Sequence, residues 1–349
     1  GVFASLSSDS NIVERNTITT GGYQGDGVRV SGSSGNITGQ FNTITTNNSN
    51  GFGFHLMSTS DNLILNNTII TSGSAGFGMR LSSEAKSNRI ENNTITTSGS
   101  AGFGFFSSNH YNLTIKGNKI TTGNTNATGI WLQSSSNDTL INNSIVTNNT
   151  ATGIFLDDVF NVSIIGGVIE NNTVGINATS SRNITIANAT FIRSSLWDFY
   201  ITNNSWVTSL NNSFNKTGVN ITGSASDYSN FTVQWFVNVS ITPQNSTFNS
   251  TNINLSITTA NLPSDVLIIA TEYIQNATSF YTYAYNFSAF ADGYDTNQVD
   301  RKYINSTQVI SIVLSPTGGV IITTTKTART YNWIKSNRLN NNYQWIPSS

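Results

Sequence analysis

Apolar residues along this chain keep two periods at once. The short period is two residues, as in Val28-Arg29-Val30, Phe54-His55-Leu56 and Ile130-Trp131-Leu132, where apolar positions flank a variable one. Such alternation predicts short strands with one buried face. The long period is a repeat. An Asn, a variable residue and an Ile recur at Asn16-Thr17-Ile18, Asn42-Thr43-Ile44, Asn67-Thr68-Ile69, Asn93-Thr94-Ile95, Asn118-Lys119-Ile120 and Asn143-Ser144-Ile145. Degenerate copies at Gly167-Val168-Ile169, Ala189-Thr190-Phe191 and Asn212-Ser213-Phe214 complete steps of 26, 25, 26, 25, 25, 24, 22 and 23 residues. A second signature, Gly then apolar, variable, apolar, keeps step at Gly27, Gly53, Gly78, Gly104, Gly129, Gly153, Gly175 and Gly218, with Asp198 once replacing Gly.

Two strands per repeat, with a weaker third near Asn36-Ile37-Thr38 and its equivalents, predict an all-β chain that opens with a right-handed parallel β-helix of about nine coils. Helical repeats need apolar spacings of three and four residues, which the Ser, Thr, Asn and Gly runs do not supply. Coils stack about 4.8 Å apart, so equivalent residues form columns. Ile18, Ile44, Ile69, Ile95, Ile120, Ile145 and Ile169 then make an inward ladder. The Asn column from Asn16 to Asn143 falls where the backbone turns, each amide able to donate to and accept from its neighbours along the axis.

On these motifs, the stretch from Asn11 to about Thr222 resembles the NosD-like β-helix repeats of archaeal and bacterial surface proteins. The resemblance specifies fold more than activity, and the copper role of that family's namesake lacks the His, Cys or Met clusters it would need: the chain has two His, two Met and no Cys.

The repeat ends after Gly218-Val219-Asn220-Ile221, and all four prolines lie beyond residue 240. Residues 1–225 are therefore read as the β-helix, 226–315 as a small antiparallel β-sandwich and 316–349 as a basic tail. Tyr285 to Leu314 resembles the closing strands of Ig-like or carboxypeptidase-regulatory-like modules. The tail carries Lys326, Arg329, Lys335 and Arg338 with no acid. The sandwich has six acids against Arg301 and Lys302, an opposite charge of equal size.

Composition narrows the function. Charged residues are 9% of the chain and the net charge is −1, which suits neither nucleic acid nor an anionic membrane. Zero cysteines exclude disulfides and thiol chemistry, no apolar run is long enough to insert in a membrane, and no cofactor motif is present. The sequon Asn-x-Ser/Thr occurs 26 times, about twice the chance expectation for 51 Asn and 94 Ser plus Thr. Dense N-glycosylation on an extracellular or cell-surface protein follows, with Asn36, Asn66, Asn92, Asn112, Asn142, Asn161 and Asn183 as sites. The alternative is that corners favour Asn and strands favour Thr, which generates sequons as a by-product.

Catalysis was tested column by column. A glycosidase needs two carboxylates facing one cleft. The adjacent acids Asp157 and Asp158 stack on Gln133 with Thr179 and on Ser134 with Ser180, so neither gains a second carboxylate. Arg29 and Arg80 have no acid cluster in the fold as read, and His55 and His110 read as exposed single histidines. No catalytic or metal site is predicted, and the chain reads as no enzyme. One column stands out: Arg29, His55, Arg80, Phe106, Trp131, Phe155, Asn177, Tyr200 and Asn220 point outward. Phe106, Trp131 and Phe155 would expose an aromatic strip, which is either a contact for another protomer or a sugar chain, or a face that the sandwich or tail covers. The first residues align inside a coil without a cap, and Val320, Ile321 and Ile322 begin a β-branched run suited to pairing with another subunit. The reading is a structural surface protein that assembles with itself into a filament or coat. The alternative is a carbohydrate-binding adhesin or a polysaccharide-active β-helix enzyme.

Overall fold

The structure, a computed structural model, describes all residues except 6–9, 33–34, 149–150, 223–227, 244–252, 256–257, 260–263, 276–280, 283, 292–294, 296, 316–333 and 336–349. The assembly strand expected at 320–327, with Val320, Ile321 and Ile322, lies outside the described residues. Contacts divide the chain into two compact units, the first built chiefly from residues 1–231.

The first unit is a parallel β-helix with three sheets. Sheet A has ten strands, from Val2–Ser5 and Val28–Ser31 to Val219–Thr222. Sheet B follows from Ile12–Glu14 to Trp206–Leu210, and sheet C has eight strands, from Thr17–Thr20 to Thr190–Ile192. The chain visits A, B and C once per coil, so each strand pairs in parallel with its equivalent in the next coil. The Ile ladder forms as predicted, Ile18 to Ile44, Ile69, Ile95, Ile120, Ile145 and Ile169, each pair in register. All seven are buried, and each such side chain contributes roughly 1.5–3 kcal/mol of apolar burial.

The two signatures keep step because they touch. A Cβ added to Gly27 would meet Ile44 Cγ2, one at Gly78 would meet Ile95 Cγ2, and one at Gly104 would meet Ile120 Cγ2. The glycine is what lets sheet A close over the Ile ladder of the next coil. The Thr-Ile-Thr-Thr strands add a second lock: buried Thr46 and Thr71 donate from Oγ1 to the carbonyls of Gly51 and Gly76, at 3.3 and 2.9 Å.

The Asn column lies between sheets B and C. Asn42, Asn67, Asn93, Asn118 and Asn143 are buried. Asn67 N and Nδ2 both donate to Asn93 Oδ1 at 2.9 Å, and Asn93 N and Nδ2 donate to Asn118 Oδ1 at 2.9 and 3.0 Å. The remaining amide proton reaches inward-lying backbone, as in Asn93 Nδ2 to Ile64 O at 2.8 Å. Both corners flanking sheet B are turned by residues with positive φ, a conformation that Asn and Gly tolerate best. One corner column runs through Asn36, Asp61, Ser87, Asn112, Asn137, Asn161 and Asn183, the other through Arg15, Phe41, Asn66, Asn92, Gly117, Asn142 and Gly166.

Among the described residues of the second unit are four strands forming an antiparallel sheet in the order Thr258–Thr259, Ile253–Leu255, Ala284–Ala291 and Asn297–Tyr303. Val237–Pro243 pairs with Gln308–Leu314 in parallel, a pairing the antiparallel pattern did not anticipate.

Candidate functional site

The outward column of sheet A is continuous. Arg29, His55, Arg80, Phe106, Trp131, Phe155, Asn177, Tyr200 and Asn220 are register partners from coil to coil. Their neighbours Val28, Val30, Ile130 and Leu132 are buried at 1% exposure or less, so alternation fixes the column on the outer face. Phe106, Trp131 and Phe155 are half-buried rather than open, because a second file of rings leans on them. Phe52, Phe77 and Phe103 stack at 5.1 and 4.8 Å between centroids, Phe103 packs edge-on against Trp131 at 5.1 Å, and Trp131 stacks on Phe155 at 5.3 Å. Phe106 bridges the files, 5.6 Å from Phe77 and 5.1 Å from Trp131. The second file comes from the Gly-Phe-Gly triplets at 51–53, 76–78 and 102–104, whose last glycines belong to the closing signature while their rings face outward.

At the N-terminal end of the column the chemistry changes. His55 is buried, not exposed as expected, and its Nδ1 lies 2.9 Å from Asp26 Oδ2. Phe52 N donates to Asp26 Oδ1 at 3.1 Å, fixing the carboxylate, and the Phe52 ring lies edge-on to the imidazole at 4.9 Å. Arg29 and Arg80 flank His55 on the adjacent coils. The Arg80 guanidinium sits over Phe52 and Phe106, 5.2 and 5.9 Å from the centroids. Burial lowers its pKa from the ordinary arginine value, and the charge of Asp26 opposes that shift. One acid therefore stands near Arg80, though no cluster of them; Asp26 lies in the turn before Gly27, which the column alignment did not cover. Among the described residues, four enclosed nitrogens along the strip find no hydrogen-bond partner: Arg29 Nε, His55 Nε2, Arg80 Nε and Trp131 Nε1. Rings that stack and cations in one line suit a ligand that is flat-faced, hydroxylated and negatively charged.

His110 is also buried, correcting the expectation of exposure. Its Nδ1 lies 2.8 Å from Ser107 Oγ and its Nε2 3.1 Å from Asp138 Oδ2. The composition is that of a hydroxyl–imidazole–carboxylate triad, but all three side chains are enclosed at 3% exposure or less. Asp138 Oδ1 also accepts from Leu113 N at 2.9 Å. It occupies the stacking position that Asn62 and Asn88 hold in earlier coils, where each accepts a backbone N–H. The histidine completes the partners of a buried acid in that ladder.

Asp157 and Asp158 stand as read: Asp157 pairs in register with Gln133 and Thr179 and accepts from Gln133 Nε2 at 2.9 Å. The seven sequon asparagines, Asn36, Asn66, Asn92, Asn112, Asn142, Asn161 and Asn183, are all exposed and all have positive φ. They fall on the two corner columns beside sheet B. Among the described residues, no helix is long and apolar enough to cross a membrane.

No curated protein matches the chain. Among solved structures it is similar to the periplasmic alginate epimerase AlgG, at 14% identity and a TM-score of 0.45, over 67% of this chain and 75% of that one. It is similar to the DFA-IIIase from Arthrobacter chlorophenolicus A6 at 12% identity and a TM-score of 0.45, over 58% and 54% of the two chains. A third likeness is to the Dettilon tailspike protein, at 10% identity and a TM-score of 0.33, over 85% and 72%. Two of these are enzymes by name, which corrects the reading of the chain as no enzyme: the absence of a carboxylate pair tests for glycosidases only, and β-helices carry other chemistries. The likeness itself is one of fold. A family model described as a right handed beta helix region matches residues 1–127 and 111–254, and the chain belongs to that family.

Proposed function

We propose that this is an extracellular or cell-surface β-helix protein that holds an extended acidic polysaccharide along the outer face of sheet A. The observation that carries the reading is the unbroken column from Arg29 to Phe155, with its second file of rings. Successive coils are about 4.8 Å apart, so the column offers one contact per coil to a chain lying along the axis. Cations at one end take carboxylates, and rings at the other take pyranose faces. Assembly into a filament or coat is not carried forward, because this face is suited to a ligand that a purely structural coat does not require. Glycosylation at Asn66, Asn92 and Asn142 is compatible with the reading, since these lie on the corner between sheets B and C, which does not border sheet A.

A second reading rests on the Asp26–His55 pair. A carboxylate that orients an imidazole between two arginines is an arrangement for moving a proton next to a neutralised carboxylate. On that reading the protein modifies the polysaccharide it binds, and His55 is the residue to remove.

Affinity electrophoresis through gels containing alginate, polygalacturonate or neutral dextran tests binding. Retardation by an acidic polymer but not by dextran, reduced in Trp131→Ala and Arg80→Ala, is the expected result. Equal migration in all gels would refute the proposal. Proton exchange into the sugar from deuterated water, lost in His55→Ala while binding persists, would establish the second reading.

A further inference from the structure

A different column carries the rings that are open to solvent. At the corner joining sheet A to sheet B, one residue per coil points outward between two left-handed residues: Ser60, Lys86, Tyr111, Ser136 and Phe160 are bridged in register, and Arg182 pairs with Phe160. Trp206 N donates to Ser181 O, which places Trp206 beside Arg182 in the next coil. Tyr111, Phe160 and Trp206 are 38, 56 and 46% exposed, whereas Phe106, Trp131 and Phe155 are half-buried. These three aromatics occupy every second coil, about 9.6 Å apart at about 4.8 Å per coil.

The positions between them are small or cationic. Lys86 lies over the Tyr111 ring at 5.0 Å, and Arg182 over the Trp206 ring at 5.3 Å. A hydrogen bond to the Tyr111 hydroxyl holds the Lys86 pKa above its ordinary value. The corner is also recessed. One concavity of about 600 Å³ is lined by residues including Ser60, Glu84, Lys86 and Asn109, and a second of about 430 Å³ by residues including Asp158, Phe160, Arg182 and Asn203.

We infer that this corner is a second glycan-binding site, for an extended polysaccharide of two-fold repeat such as a β-1,4-linked chain. In such a chain alternate sugars present the same face, so a ring at every second coil meets the same face each time, while hydroxyls and amides in the recess meet the sugar edge. Glu84, Asp61 and Asp158 stand against Lys86 and Arg182 along the corner, a near balance of charge that suits a neutral polymer. A coiled α-1,4 glucan cannot keep its sugar faces in line with a straight row. The inference is independent of sheet A, whose column is one contact per coil and cationic.

The test is calorimetric titration of the full chain with cellohexaose, chitohexaose and maltohexaose. Binding of at least one β-1,4 hexaose, about tenfold weaker in Phe160→Ala and unchanged in Phe41→Ala, an exposed ring on the other corner of sheet B, is expected, with maltohexaose much weaker. Phe160 is the most exposed of the three rings, and an unchanged thermal melt of the variant separates lost binding from lost folding. Binding of all three hexaoses alike, of none, or with Trp131→Ala as the only sensitive variant overturns the inference. So does binding that appears only after enzymatic removal of N-glycans, which would assign the rings to the chain's own glycans at Asn112 and Asn161.

Discussion

Asn93→Ala tests the amide ladder where it is most fully enclosed. The side chain accepts from Asn67 N and Asn67 Nδ2 and donates to Ile64 O, Glu91 O and Asn118 Oδ1, five bonds of 2.8 to 3.0 Å at a residue with 1% exposure. Not every partner is orphaned by the change. Asn67 Nδ2 keeps Gly39 O and Leu65 O, and Asn118 Oδ1 keeps Asn93 N. The Asn67 backbone N–H loses its only acceptor among these contacts, and one buried unsatisfied donor costs about 1–3 kcal/mol. The other lost bonds add roughly 0.5–1.5 kcal/mol each at most, so a destabilisation of about 3 kcal/mol is expected. Asn16→Ala is the control. Asn16 is exposed, and its Nδ2 donates to Glu14 O and Asn42 Oδ1, of which the latter keeps Asn16 N. That change should cost less than about 1 kcal/mol. Urea unfolding measures both, and native-state hydrogen exchange at the Asn67 amide reads the coil directly, since a solenoid opens coil by coil. Equal losses from the two variants, or an Asn67 amide as protected as before, would show that the ladder is not what holds the corner.

Two further outcomes follow from the same geometry. Gly78→Ala should destabilise more than Gly21→Ala, because a Cβ at 78 meets Ile95 Cγ2 and the Gly104 carbonyl while one at 21 meets nothing within 4 Å; thermal melts of the two variants check it. Native mass should exceed the unmodified 37.6 kDa, and peptide mapping should find glycans at Asn66, Asn92 and Asn142, exposed on the corner between sheets B and C; an unmodified mass would leave the sequon excess as a by-product of corner and strand preferences.

The coil was legible because each of its constraints acts on one column and repeats. Ile at the ladder, Asn at the buried corner and Gly at the closure each recur at a spacing that a single sequence displays, and the structure places all three in register. What the spacing did not reveal is why the Asn and Gly signatures never drift apart: Gly78 and Ile95 are 17 residues apart along the chain and touch only because the coil closes. The strand pairing of the second unit was less legible. Alternation marks a strand but not its partner, and the parallel pairing of Val237–Pro243 with Gln308–Leu314 joins segments far apart in sequence.

The site was half legible for a related reason. Strand alternation fixes which residues point outward, so the column from Arg29 to Asn220 could be written down in advance. It does not say where turn side chains lie, because a turn lacks the two-residue alternation that sorts inward from outward. Asp26, which engages His55, and the Phe52, Phe77 and Phe103 file all sit in turns before the closing glycines. The same blindness made His55 look exposed: its strand position is outward, yet Phe52 and Asp26 wrap over it. The corner rings were missed in the opposite direction. Phe160 and Trp206 open strands, whereas Tyr111 is an isolated bridge before one, so no single strand alternation displays the row; the cross-coil pairing does. In a solenoid, then, the strands dictate the core and the turns decide what surface the outside world meets. A coil repeat can therefore be preserved while its ligand changes, provided the changes fall on turn residues and outward columns.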